Sequence, residues 1–467
     1  MIPTVEQKSI LEFIENNNKN LKISAYAGAG KTSTLKMIAK SNIDKSFLYI
    51  AYNKDIQLEA EKSFPKNVYC STYHSLARRL MRIDKTNYKE KLSIKLKKSE
   101  VIEIMHLKEI KCISACDGLD IIKKSLSNFK VSADSKPSEV HMDFDLIERF
   151  TSIPSEQKYL SEILLKKVEL MWKLETAEKV KFPLDHDTYV KMWQLSNPKI
   201  DVDFILFDEA QDANPVVLDV VKKQTCRKIF VGDHHQRIYS WRGAVNAMQD
   251  IEAEELSLTQ SFRFGNAVAD VANKILSKKG EKNKVLGFQN IESKLVKIDE
   301  KNQFTCICRT NAEVFNKLLF YMKQGKKVFV YGGVSDFIMK CRCAYFLYKN
   351  KRELITYLDF KKFKNWEHFM EHSKFDSELN AFVKIIKIHG NDLLESLNLC
   401  EKMNVSIQDA DILLCTAHKS KGLEWENVLI ADDFNFKGED ELNLVYVAST
   451  RAKINLSLSE KFLKNIS

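Results

Sequence analysis

The sequence predicts an α/β fold: two parallel-sheet cores, each interrupted by a mainly helical insertion. Three observations point there. Short apolar runs alternate with helix-spaced stretches over residues 21–82, which is the strand–helix–strand pattern of a parallel sheet. That alternation returns at residue 203, and a second set follows from Leu256. Two stretches, 89–192 and 336–405, instead carry helical spacing with little strand signal. At 467 residues the chain is also too long for one hydrophobic core.

Taken in order, residues 5–20 read as a helix leading into a first strand at 21–24. A small-residue loop follows, then a helix with apolar residues at helical spacing through Lys40. Strands at 47–52 and 68–70 are each followed by a helix, over 56–63 and 74–82. The Lys-rich sequence from about 89 to 192, for example 156–175, reads as an inserted helical subdomain. Strands reappear at 203–207 and 228–231. The second set takes strands at 295–298, 304–308 and 328–331, the helix-like stretch 336–405, and strands at 412–415, 428–431 and 454–458. Neither a repeat nor a low-complexity linker is visible.

Composition narrows the class. With 44% hydrophobic residues the chain reads as folded and soluble. A formal charge of +10 suits a polyanion such as nucleic acid, and equally suits a Lys-rich bias without meaning. Cys306/Cys308 and Cys341/Cys343 lie in apolar, strand-like runs and lack the two-residue gap of zinc knuckles, so buried reduced thiols are expected. The start shows no basic stretch followed by an apolar one, and no run approaches membrane-spanning length. An intracellular protein without membrane contact is expected.

The chemistry begins at Ala25–Thr32. A strand, a loop carrying Ala27, Gly28, Ala29 and Gly30, and a helix opening on Lys31, Thr32 and Ser33 form the context of a phosphate-binding loop. Small residues let the backbone close on phosphate, with N–H groups and the helix start facing the anion. Lys31 would reach the β- and γ-phosphates, and the Thr32 hydroxyl would ligate Mg²⁺. Ala25 stands where the usual pattern begins with Gly. The apolar run 204–207 ends in Asp208 and Glu209, placed to hold Mg²⁺ and to orient and deprotonate the attacking water. Beyond the next strand, Gln236 offers an amide that can sense the γ-phosphate. Tyr239, Trp241 and Arg242 follow as a stacking platform for single-strand bases, although an isolated Trp reads first as core.

These segments, with Leu258–Arg263, Thr416–Trp425 and Val445–Ala452, resemble in order the motifs of the UvrD/Rep-like superfamily 1 DNA helicases. Within that group, Ala51–Lys54 and 182–196 are similar to the F-box DNA helicase branch, with no F-box expected ahead of the motor and no appended nuclease after it. The resemblance implies two RecA-like P-loop domains. The first motor domain takes 1–88 and 193–255 with 89–192 as its insertion; the second takes 256–335 and 406–467 with 336–405 inserted. It implies ATP and Mg²⁺ as cofactors, the ion held by Thr32 and Asp208. Arg263 and Arg451 match arginines that reach the γ-phosphate, Gln7 one that reads adenine, and Phe262 an aromatic that stacks on it. Glu424, beside Gly422, matches a ribose contact. Tyr52, Asn53, Thr72, His74, Tyr239, Trp241, Arg242, Thr416 and His418 would lie along DNA, though each histidine alone reads as a satisfied core residue.

Departures are few. Ser261 replaces the usual Asn, and His234–His235 stand where acidic residues are frequent. The short second insertion leaves open any autoinhibition, partner docking or duplex grip of longer versions. The implied activity is an ATP-driven, 3′-to-5′ single-stranded DNA translocase and helicase of replication, repair or recombination. Its expected partners are single-stranded DNA, duplex junctions, and recombinase filaments or other replication and repair proteins. The expected place is the cytoplasm, or a host's cytoplasm, on DNA. A motor relic that only binds DNA, an ATPase that strips filaments without unwinding, and an RNA substrate stay as alternatives.

Overall fold

The computed structural model describes residues 2–238, 248, 251–401 and 405–467. The chain forms two compact units, Met1–Ala25 with Gly30–Leu258, and Tyr26–Ala29 with Thr259–Ser467.

The first unit is built on a sheet of six strands: β1 (Leu21–Ala25), β2 (Phe47–Ala51), β3 (Val68–Thr72), β4 (Phe204–Phe207), β5 (Arg227–Gly232) and β6 (Glu254–Leu258). Their order is β3-β2-β4-β5-β1-β6, and every pairing is parallel. Central strands are covered on both faces, which explains why β2 and β4 are buried at every position and read as unbroken apolar runs. Because β4, β5 and β1 are neighbours, the loops leaving their carboxyl ends converge at one edge, where open α/β sheets place ligands.

Three sequence readings change. Glu254–Leu258 does not open the second set; it pairs with β1 from Leu21↔Glu254 to Ala25↔Leu258 as the edge of the first sheet. Its outer positions are solvated, and Glu255 pairs with Lys22 at 2.9 Å, so the apolar signal of a strand is thin. The strand read at 295–298 is only Lys294–Leu295, exposed at both positions. Cys341 and Cys343 sit in the helix Ser335–Tyr348, not in a strand. That helix buries residues on several faces, from Phe337 to Leu347, so its 3.6-residue period is blurred.

The helices of residues 89–192 have a core of their own, including Leu119, Leu126, Phe129, Leu160, Leu164 and Phe182. Tyr189, Val190 and Trp193 of the helix His186–Leu195 instead pack with the first sheet.

The second unit carries β7 (Lys294–Leu295), β8 (Phe304–Cys308), β9 (Val328–Val330), β10 (Ile412–Thr416), β11 (Trp425–Ile430) and β12 (Ala452–Ser457), ordered β7-β12-β11-β8-β10-β9 and again all parallel. The helices between β9 and β10 share one core with this sheet: Ile338, Phe369, Phe382 and Leu397 cluster with Cys306, Val328 and Leu414. The ten cysteines are free thiols, seven of them buried. No helix among the described residues is long and apolar enough to cross a membrane.

Candidate functional site

Leaving β1, the chain turns through Gly28 (φ +73°) and Gly30 (φ +75°), both left-handed, where a side chain would strain the backbone. Gly30 is the N-cap of the helix Lys31–Ser41 and has no side chain to cap it, so the helix start is presented by backbone alone. Lys31, Thr32 and Ser33 occupy the first turn, each half-buried. Tyr26–Ala29 group with the second unit. There Phe262 N–H donates to the Gly28 carbonyl at 2.8 Å, and Ala27 N–H to the Tyr446 hydroxyl at 3.1 Å.

Three acidic residues gather around Lys31. Its ammonium meets Glu209 Oε1 at 2.5 Å. Burial works to lower the Lys31 pKa, but Glu209, Asp208 and Asp233 together outweigh it and raise it. Asp208, 4% exposed, accepts from the Tyr49 hydroxyl at 2.6 Å and from Glu209 N–H at 2.9 Å. Burial and the neighbouring Glu209 charge push its pKa up, against Lys31 and Tyr49. Asp233 is also buried and raised by burial; its carboxylate accepts from His235 N–H at 3.0 Å and from Gln236 Nε2 at 2.7 Å. A strand end rich in carboxylates, one ammonium and a glycine loop is the arrangement that holds a polyphosphate with a divalent cation.

Gln7 is buried and doubly used. Its Oε1 accepts from Thr4 N–H at 3.0 Å, closing a capping box, and its Nε2 donates to Thr34 Oγ1 at 3.0 Å. A carboxamide can make four hydrogen bonds, and these take half of them.

In the second unit, Arg263 donates from Nε to Glu424 at 2.7 Å and from Nη1 to the Thr450 carbonyl at 3.3 Å. Two expected nucleotide contacts are thus paired with each other. Arg451 is 1% exposed, with Nε on the Val447 carbonyl at 2.8 Å and Nη1 on the Leu423 carbonyl at 3.3 Å. Phe262 packs edge-on against Phe288, centroids 5.4 Å apart. Gly422 is left-handed at φ +85°.

Of the expected DNA contacts, Tyr52, Asn53, Thr72 and His74 line one cleft of about 1060 Å³ in the first unit, beneath Lys124 and Asn128 of the first insertion. Asn53 and Thr72 also cap the helices that follow them, accepting from Ile56 N–H at 2.9 Å and Ser75 N–H at 3.2 Å. His74 is half-buried, with Nε2 3.2 Å from Asp187 and its ring 4.2 Å from that of Tyr73. In the second unit Thr416 is a buried helix cap and His418 is half-buried beside it. Tyr239, Trp241 and Arg242 lie outside the described residues.

The sequence matches the family model of the UvrD/REP helicase N-terminal domain over residues 5–255 and that of the UvrD-like helicase C-terminal domain over residues 411–459. The chain belongs to the UvrD/Rep helicase family. Curated relatives in this family include F-box DNA helicase 1 of Gallus gallus, 34% identical across 98% of this chain and 49% of that protein. F-box DNA helicase protein 1 of Schizosaccharomyces pombe is 32% identical across 99% of this chain and 58% of its own length. A probable DNA helicase of Mycoplasma pneumoniae is 29% identical across 54% of the chain and 42% of its own length. The chain therefore spans about half the length of the curated relatives it matches.

Two groups of this helicase-family site escaped the sequence reading. Tyr49 looks like one more apolar strand residue, and only the β2–β4 pairing, Tyr49↔Leu206, brings its hydroxyl to Asp208. Gln211 lies inside the acidic segment after β4, which was the available signal, yet its partners come from tertiary structure.

Proposed function

We propose that the chain is an ATP-dependent translocase on single-stranded DNA that separates duplex, moving 3′ to 5′. The observation that carries the reading is the cluster of half-buried Lys31 and Glu209 with buried Asp208 and Asp233 at the carboxyl ends of three adjacent parallel strands. Two buried carboxylates, Asp208 and Asp233, and the half-buried Glu209 against one ammonium leave an excess of negative charge, which fits a site that takes a divalent cation. Thr32 and Asp208 would hold Mg²⁺. An ion held by them would supply charge compensation to the phosphates. Lys31 binds those phosphates, Ala27–Ser33 cradles them, and Glu209 orients the attacking water and takes its proton. Gln236 senses the γ-phosphate through the Asp233 loop. Gln7, Phe262, Gly422 and Glu424 hold base and ribose, and Arg263 and Arg451 offset charge on the transferring phosphoryl group.

DNA would run along Tyr52, Asn53, Thr72, His74, Tyr239, Trp241, Arg242, Thr416 and His418. The reading takes residues 1–88 with 193–255, and 256–335 with 406–467, as motor domains, the boundary between them moved past β6 to Leu258, with 89–192 and 336–405 as insertions. It places the protein on intracellular DNA in replication, repair or recombination, at duplex junctions or against recombinase filaments. The relatives' names as DNA helicases support it. The test measures ATPase with and without single-stranded DNA, then unwinding of 3′- and 5′-tailed duplexes. Lys31→Ala and Glu209→Gln should each cut DNA-stimulated hydrolysis to a small residual rate; a wild-type rate in either overturns the site assignment. Unwinding of the 5′-tailed duplex alone overturns the direction.

A further inference from the structure

Gln211 has no side-chain atom in contact with solvent, yet it is a polar residue between two functional segments. Its Oε1 accepts from Asp233 N–H at 3.1 Å, and its Nε2 donates to Glu209 Oε2 at 2.5 Å. The orientation of the amide follows from these partners. The reverse would set oxygen against carboxylate and N–H against N–H. β5 ends in Gly232, where a Cβ would run into the Gln211 side-chain oxygen and come within 3.2 Å of its backbone nitrogen. Main chain and amide thus pack in direct contact. Continuing outward, Asp233 accepts from Gln236 Nε2 at 2.7 Å. One continuous path of hydrogen bonds therefore runs Glu209–Gln211–Asp233–Gln236, joining the end of β4 to the end of β5.

Glu209 itself sits in a left-handed backbone conformation, φ +51°, which a residue other than glycine adopts at a cost of about 1–3 kcal/mol. Its carboxylate is gripped from two sides, by Lys31 on Oε1 and by Gln211 on Oε2. In the proposed reaction Lys31 turns to phosphate, whereas Gln211 is free to keep its grip.

We propose that Gln211 is a positioning residue. It fixes the Glu209 carboxylate for the attacking water, and it transmits the state of the Asp233–Gln236 segment to that carboxylate. This rests on the reading of Glu209 as the water-orienting base. The amide supplies no proton to the reaction and touches no phosphate. It acts through Glu209 alone, and that makes a double-mutant cycle decisive.

The experiment measures single-turnover and steady-state ATPase with saturating single-stranded DNA for wild type, Gln211→Met, Glu209→Gln and the double variant. Gln211→Met keeps volume and removes the bonds to Glu209 and Asp233, together with the longer one, 3.4 Å, to Asp212 Oδ2. The expected result is a fall in kcat of tenfold or more with KM for ATP within about threefold, a loss of transition-state alignment rather than of binding. In the Glu209→Gln background the same substitution should cost under twofold. An unchanged kcat in Gln211→Met overturns the proposal, and so does an equal loss in both backgrounds, which a general structural defect would give. Should Gln211→Met fail to fold, Gln211→Glu runs the same cycle: its carboxylate retains an acceptor for Asp233 N–H and opposes Glu209 with like charge. A Glu209→Gln protein with wild-type hydrolysis would instead sink the reading of Glu209, which separates the two failures.

Discussion

Gly232 and Glu209 divide the backbone demands of the site between them. Glu209 tolerates a left-handed conformation because its side chain is held on both oxygens. Gly232 has ordinary φ but no room, since a Cβ there would press on Gln211 and on the Ala210 nitrogen at 3.3 Å. Gly232→Ala should therefore lower stability by about 1–3 kcal/mol through overpacking. It should also reduce DNA-stimulated kcat at least tenfold by moving the Gln211 amide. Urea denaturation and steady-state ATPase check the two parts, and a wild-type rate would show that the amide can shift without consequence. Asp208 and Glu209 were legible because their chemistry is carried by adjacent positions at a strand end. Tyr49 and Gln211 were not, because a buried hydroxyl and a buried amide reveal themselves only by the partner across the sheet.

The helices Ala115–Val131, Pro154–Thr176 and His186–Leu195 meet through charge as well as apolar packing. Lys130 lies 2.6 Å from both Glu175 and Asp185, and the Thr188 hydroxyl binds the same carboxylates. Lys191, fully buried, donates to the Ser132 carbonyl at 2.9 Å and to that of Asp134, with Phe129 under its ammonium at 4.5 Å. Burial lowers its pKa to about 8 from an ordinary 10.5, against the opposing pull of Asp134. The unfolded chain then holds this proton between pH 8 and 10.5 while the folded chain releases it, so stability rises with pH across that window. Below about pH 8 both states are protonated and the cost of the buried ammonium is constant. Urea denaturation of wild type and Lys191→Met should therefore diverge in favour of wild type by about 1–3 kcal/mol between pH 7.5 and 10. A difference that stays flat would mean the ammonium is solvated. Helical spacing made these helices readable from the sequence. The polar network joining them was invisible there, since Lys130, Glu175 and Asp185 look like three solvated charges.

Across the whole chain, the modest net charge of +10 says little until the fold distributes it. The cleft of the first unit brings Lys124 of the insertion over the loops after β2 and β3 that carry Tyr52, Asn53, Thr72 and His74. If a single strand occupies it, Lys124→Ala should weaken binding modestly at low salt. It should also reduce the magnitude of the slope of log affinity against log salt by about 0.7, one phosphate contact fewer. ATP binding should be unaffected. Fluorescence anisotropy with a labelled oligonucleotide over a salt series reads this directly, and an unchanged slope removes Lys124 from the strand path. The two units follow one plan, six parallel strands with a long helical stretch between them in sequence, but they use it differently. The first insertion keeps its own core, whereas the helices between β9 and β10 share theirs with the second sheet.

What the linear order of residues determined was the kind of machine: strand, loop and helix around Lys31, a strand ending in two carboxylates, and family motifs in sequence. Such signals survive because they are local, each carried by a few consecutive residues whose backbone geometry and chemistry coincide. The edge strand Glu254–Leu258, the helix that hides Cys341 and Cys343, and the amide joining Glu209 to Asp233 were decided only by tertiary structure. Each depends on which face is covered and which distant group arrives to cover it. Burial and partner choice are properties of the packed chain, and no window of sequence contains them.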